Sequence, residues 1–186
     1  MKITWFGGHA LRIQASGQIA AFYPESADEG FDRHELLSGA DRIVEGPVSD
    51  LPAYLATSFE HPAPKRLIDE LDEEADGLSF TIARLGEADI VVQGEQESPL
   101  VVLAVGEGDV TDAPGDWPHH VRDCTILLFR IDSAILRLVM QLARSGRVRV
   151  FLVAVPGLSE AEWAELAAAG EGVPMQVLEP SLGLEL

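Results

Sequence analysis

Three largely apolar runs, at residues 100–105, 125–129 and 148–155, broken only by Thr125 and Arg149, constrain this chain more than any other feature. A strand with one wet face alternates polar and apolar residues, whereas a short run that is apolar throughout is covered on both faces. Helical patterns follow the last two runs. Asp132 or Ser133 can cap a helix through residue 144, with Ile135, Leu138, Val139 and Leu142 on one stripe and Gly146 as its stop. Ser159 and Glu162 have capping-box spacing for a second helix through residue 169, and residues 173–178 form a closing strand before an extended tail.

The first half has a different rhythm. Residues 2–6, 11–15 and 18–23 form three short strands, punctuated by Gly7-Gly8 and by Ser16-Gly17 at a hairpin turn. A short helix at 31–37 follows, with Asp32 available as its cap, and then a strand at 42–44. Leu67, Ile68 and Leu71 at helical spacing mark an amphipathic helix over 62–74. Strands at 78–85 and 89–93 begin a second sheet, and 106–122 is the longest irregular stretch. With 186 residues, 47% of them hydrophobic, the chain can bury a real core as one domain over 1–186, in two αβ halves of about 1–95 and 96–186.

Thirty-one acidic against 13 basic residues give a formal charge of −18, which repels phosphate backbones and anionic lipid heads. Nucleic acid and membrane surfaces are therefore not expected partners; a small-molecule ligand is left unspecified. Cys124, the single cysteine, sits in an apolar run and reads as a small buried hydrophobe. A reducing, cytoplasmic setting is expected, with neither an export signal nor a membrane span.

Several pieces, in order, carry a resemblance. Met1-Lys2-Ile3-Thr4-Trp5-Phe6-Gly7 opens the chain, a hairpin over 17–24 follows, and Ala40-Asp41-Arg42-Ile43-Val44 leads into Gly46-Pro47-Val48-Ser49-Asp50-Leu51. The chain finishes with Val173-Pro174-Met175-Gln176-Val177-Leu178-Glu179-Pro180 and Leu184-Glu185-Leu186. Read together, they resemble the metallo-β-lactamase superfamily, in its compact Zn-dependent hydrolase-like branch that includes ascorbate-phosphate lactonase-like proteins. The resemblance implies an α/β (α+β) fold: a four-layer αββα sandwich of two mixed sheets flanked by helices, with a metal site in the cleft at one sheet edge.

It also implies ligands that this chain lacks. The family pattern is His-x-His-x-Asp-His, and its positions fall on Gly46, Val48, Asp50 and Leu51. Gly108-Asp109-Val110 matches the family's Gly-Asp-Thr turn, which would make Asp109 the bridging carboxylate. Val155 stands where a Pro-Met-His histidine belongs, and Tyr23 replaces the aspartate before the hairpin's proline. Two zinc ions about 3.5 Å apart each need about four donors, so the expected cofactor is none. Zinc or another divalent metal enters only under an alternative, a metal-dependent hydrolase of lactone or phosphoester type using Asp50, Asp109 and His119 or His120.

The loop carrying Glu107, Asp109, Asp112, Asp116, His119, His120 and Asp123 is the best remaining cluster of chemical groups. His9 is expected to be structural, packed on Trp5 or bonded to a carbonyl. His34 and His61 read as surface residues, and Trp117 as a loop anchor. Ser49 and Ser58 lack a nucleophile-elbow setting, and Gly106-Glu107-Gly108-Asp109 puts carboxylates where a phosphate would sit. The favoured expectation is a non-catalytic binding or assembly protein. The apolar excess of Leu136 and Met140 beside the 135/138/139/142 stripe makes a homodimer a possible partner state.

Overall fold

The computed structural model describes residues 1–54, 80–94, 97–103 and 122–186. Strands β1 (Lys2–Trp5), β2 (Leu11–Ala15), β3 (Gln18–Phe22) and β4 (Arg42–Val44) come first. They are followed by β5 (Thr81–Arg84), β6 (Ile90–Gln93), β7 (Leu100–Leu103), β8 (Cys124–Leu128), β9 (Val148–Val153), β10 (Met175–Val177) and β11 (Gly183–Glu185). One sheet has the order β11-β1-β2-β3-β4 and the other β10-β9-β8-β7-β6-β5. Both are mixed: β3 and β4 are parallel in the first, and β7 through β10 in the second. The β2–β3 hairpin turns at Ser16 and Gly17, whose φ values of 50° and 77° suit a two-residue turn matched to strand twist.

The period of two along each strand divides its side chains between layers. Ile3, Trp5, Ile13 and Phe22 face Ile82, Ile90, Val102 and Leu127 to form the core between the sheets. The alternate residues of the second sheet, including Ile126, Leu128, Phe151 and Val153, face the other way. There they meet Ile135, Leu138, Val139 and Leu142 of helix α2 (Ser133–Ser145) and Leu166 of helix α3 (Glu160–Ala169). That is why β7 and β8 are buried at every position. Phe6, Ala21 and Leu36 make a smaller core under helix α1 (Arg33–Leu37) on the far side of the first sheet. The result is the expected four-layer arrangement of two facing mixed sheets with helices outside.

The helix ends follow from their caps. The Asp32 carboxylate accepts from the His34 amide, and the Asp132 carboxylate from the amides of Ala134 and Ile135, both at 2.9 Å. Ser159 and Glu162 close a capping box reciprocally, and α2 stops at Gly146, whose φ is 64°.

Several boundaries differ from the sequence expectation. The tail is a strand: β11 pairs antiparallel with β1, so the end of the chain completes the first sheet. The strand expected at 148–155 ends at Val153, and that at 78–85 begins at Thr81. The helix expected at 62–74 lies outside the described residues, as does the loop 106–121. Leu136 and Met140, read as excess apolar surface, are both half-buried, and Leu136 packs against the core under α2. The large apolar residues most exposed among those described are elsewhere: Ile43, Val177 and Leu182.

Candidate functional site

Strands β1, β3 and β4 of the first sheet and β8, β9 and β10 of the second all end at one edge of the sandwich. Contacts between the sheets fix this. The ring of His9, just past β1, lies edge-on to that of Phe129, just past β8, with centroids 4.9 Å apart. The amide of Ser181, after β10, donates to the Trp5 carbonyl at 2.7 Å.

The backbone at this edge turns tightly. Gly7 and Gly8 have φ values of 86° and 47°, and a Cβ at either would collide, with the Asp28 carboxylate or with the Ser26 carbonyl. Only glycine fits there without strain. The Trp5 indole donates to the Gly8 carbonyl at 3.0 Å, which fixes both ring and loop. The His9 amide donates to the Ser26 hydroxyl at 3.1 Å, and that hydroxyl donates to the Tyr23 carbonyl at 2.8 Å. His9 thus packs on Phe129, across the sheets. Burial, and then the nearby Arg130 guanidinium, lower its pKa. Arg130 pairs with Asp132 at 3.2 Å.

Tyr23, at the position of the family's aspartate, has a left-handed φ of 47°. Its hydroxyl is buried with no hydrogen-bond partner among the described residues, and burial raises its pKa. The phenol is therefore neutral at pH 7 and carries no carboxylate's charge.

The positions that the sequence resemblance matched to the metal motif scatter over different environments. A short 3₁₀ turn at Val48–Asp50 places Val48 in the core between the sheets, 2% exposed, with Leu51 packed against the same core. Asp50 is exposed, and its carboxylate stands 3.1 Å from where a Cβ on Gly46 would be, so a side chain at 46 would crowd it. Val155 is half-buried and packs with the outer core. Asp109, His119 and His120 lie outside the described residues, together with Glu107, Asp112, Asp116 and Trp117. Asp123 is described, and it precedes β8, at the edge opposite His9. The five residues of β8 separate the two by roughly 16 Å at strand rise, so Asp123 cannot join a site at the strand ends. Among the described residues, no group of three or more His, Cys, Asp or Glu side chains could hold a metal ion.

The same edge carries a pocket of about 570 Å³ that the sequence did not disclose. Trp5, Val155, Trp163, Val177, Leu178 and Pro180 line it, with Glu160 and Glu179. Its walls come from the end of β1, the turn after β9, the first turns of α3 and the end of β10. A tryptophan in the second turn of a helix that directly follows Pro156-Gly157 was the available signal. Cys124 is fully buried at the far edge, and burial pushes its thiol up to about 12. No described helix is long and apolar enough to cross a membrane.

No protein-family model matches the chain, and no curated protein matches it significantly. Solved structures do. Igni18, a metallo hydrolase from the hyperthermophilic archaeon Ignicoccus hospitalis, superposes with a TM-score of 0.56 at 12% identity, covering 100% of this chain and 98% of that one. A putative Zn-dependent hydrolase of the metallo-β-lactamase superfamily from Thermotoga maritima reaches a TM-score of 0.48 at 13% identity, over 96% of this chain and 99% of that one. At such identities the first likeness shows a shared fold and assigns no activity.

Proposed function

We propose that this chain is a degenerate metallo-β-lactamase-fold protein that has lost the binuclear zinc site and serves as a non-catalytic binding protein, with the pocket at the strand ends as its ligand site. One observation carries the reading: three residues matched to the family's ligand positions, Val48, Leu51 and Val155, are spent on packing. Val48 and Leu51 belong to the core between the sheets, and Val155 lines the pocket. A zinc pair needs several imidazoles and carboxylates converging from different loops. Of the described candidates only Asp50 offers a donor, and it is exposed. The described residues therefore do not fit zinc.

The test is metal content by elemental mass spectrometry on untagged protein purified without chelators, with a thermal shift on adding Zn²⁺, Mn²⁺ and Mg²⁺. The expected result is substoichiometric metal and no stabilisation. About one equivalent of metal, lost in Asp109→Ala, would overturn the reading in favour of a hydrolase built on Asp50, Asp109 and His119 or His120.

A further inference from the structure

We infer that the pocket at the strand ends takes a small amphipathic organic cation, an amine or quaternary ammonium with an apolar body. This rests on the reading of that pocket as the ligand site. Its volume, about 570 Å³, lies in the range that encloses small organic molecules. Its walls decide the apolar part of the ligand. Trp5 is held rigidly by its indole bond to Gly8, and Trp163 stands half-buried across from the ends of β9 and β10. Val177 on the rim is 42% exposed, and Leu182, 59% exposed, follows in the turn where its amide donates to the Glu179 carbonyl. Apolar surface so open beside a recess loses water when a ligand's body covers it.

The charges decide the head group. Among the described lining residues the charged ones are Glu160 and Glu179; no lysine, arginine or histidine accompanies them. An anion would meet two carboxylates on a chain of net charge −18. The start of α3 does not reverse this preference. The Glu162 amide already donates to the Ser159 hydroxyl, the Ser159 amide donates to the Glu162 carboxylate, and Glu160 and Glu162 both sit in the first turn. Two amides at this end are thus in use, and the Glu160 and Glu162 carboxylates answer the helix's partial positive charge from within. A cation instead finds the half-buried Trp163 ring and two carboxylates together, the combination by which ammonium ligands are recognised.

Three ligands of one size that differ only in head group test this: phenethylamine, protonated at pH 7, 2-phenylethanol and phenylacetate. Each is titrated against the full chain by calorimetry and by tryptophan fluorescence. The amine should bind saturably, roughly tenfold more tightly than the alcohol by the cation–π and charge contributions, with phenylacetate weakest. Trp163→Leu should abolish saturable binding of the amine. In Glu160→Gln/Glu179→Gln the amine should fall to the level of the alcohol, and its salt dependence should vanish. Both variants alter exposed or half-exposed positions, and a thermal melt coinciding with that of the parent shows that the fold is intact. Equal affinity for amine and alcohol, tighter binding of phenylacetate, or no saturable binding of the amine would each overturn the inference. None of these results would by itself restore a metal site, so metal content separates failure of this inference from failure of the underlying reading.

Discussion

The two edges of the sandwich are built for different work. At one, the β2–β3 hairpin meets the β6–β7 connection, and the Ser16 amide is taken up by the Glu97 carboxylate at 3.3 Å. At the other, strands of both sheets end, the backbone turns through Gly7-Gly8 and the left-handed Tyr23, and the surface opens into a pocket. The first edge closes the fold with polar contacts between neighbouring turns. The second gathers segments far apart in sequence and leaves space among them. A shared scaffold can thus keep its strand-end edge as a site for ligands while the residues that serve chemistry there change.

Substitutions can break or sharpen this contrast. The largest effect is expected where both edges depend on one layer. Leu127 is fully buried between the sheets, and Leu127→Ala should cost about 2–5 kcal/mol in urea unfolding, with both edges failing in one transition. Gly8→Ala should act at the strand-end edge, costing roughly 1–3 kcal/mol because a left-handed φ and the Ser26 carbonyl both oppose a Cβ. Amine binding should weaken in the same variant, since the turn anchors Trp5.

A smaller pair contrasts the carboxylates of the two edges. Glu97→Ala should cost about 1 kcal/mol for the lost bond to Ser16. Asp50→Ala, at an exposed side chain, should stay within about 0.5 kcal/mol. The reverse order in chemical denaturation would mean that Asp50 holds the strand-end edge together and that the contrast is wrong.

The smallest expected signal is a pH dependence. The pKa of His9 is lowered in the folded chain, so below its ordinary value of 6.5 the unfolded chain binds a proton that the native state resists. Stability should therefore fall as pH drops through 6.5 and level off below the folded pKa. His9→Phe, which keeps a ring against Phe129, should show a flatter profile than the parent in melts between pH 5 and 7. An unchanged profile would show that His9 is solvated in the native state.

What could be read from the sequence was local. The stripe Ile135, Leu138, Val139 and Leu142, with Asp132 before it and Gly146 after, defines α2 because cap, periodicity and stop all lie within one short segment. The β2–β3 hairpin and the capping box of α3 were legible for the same reason. What escaped was long-range. Nothing within residues 183–185 shows that they pair with β1, because three residues of strand gain their meaning from a partner at the other end of the chain. His9 meets Phe129 across 120 positions only once the sheets face each other. The pocket needs four such segments at once, and α3 hides its share because Trp163 lies off any clear apolar stripe. The residue types at Gly46, Val48, Asp50 and Leu51, by contrast, are legible directly, because a residue's identity needs no partner elsewhere in the chain.

The most direct test of the central claim is one nuclear magnetic resonance experiment on the indole N–H signals, with the amine and zinc added in separate titrations. The account predicts that phenethylamine shifts the Trp163 and Trp5 signals together while Zn²⁺ moves neither. Zinc-induced shifts saturating at about one equivalent, with no response to the amine, would contradict it and return the strand-end edge to metal chemistry.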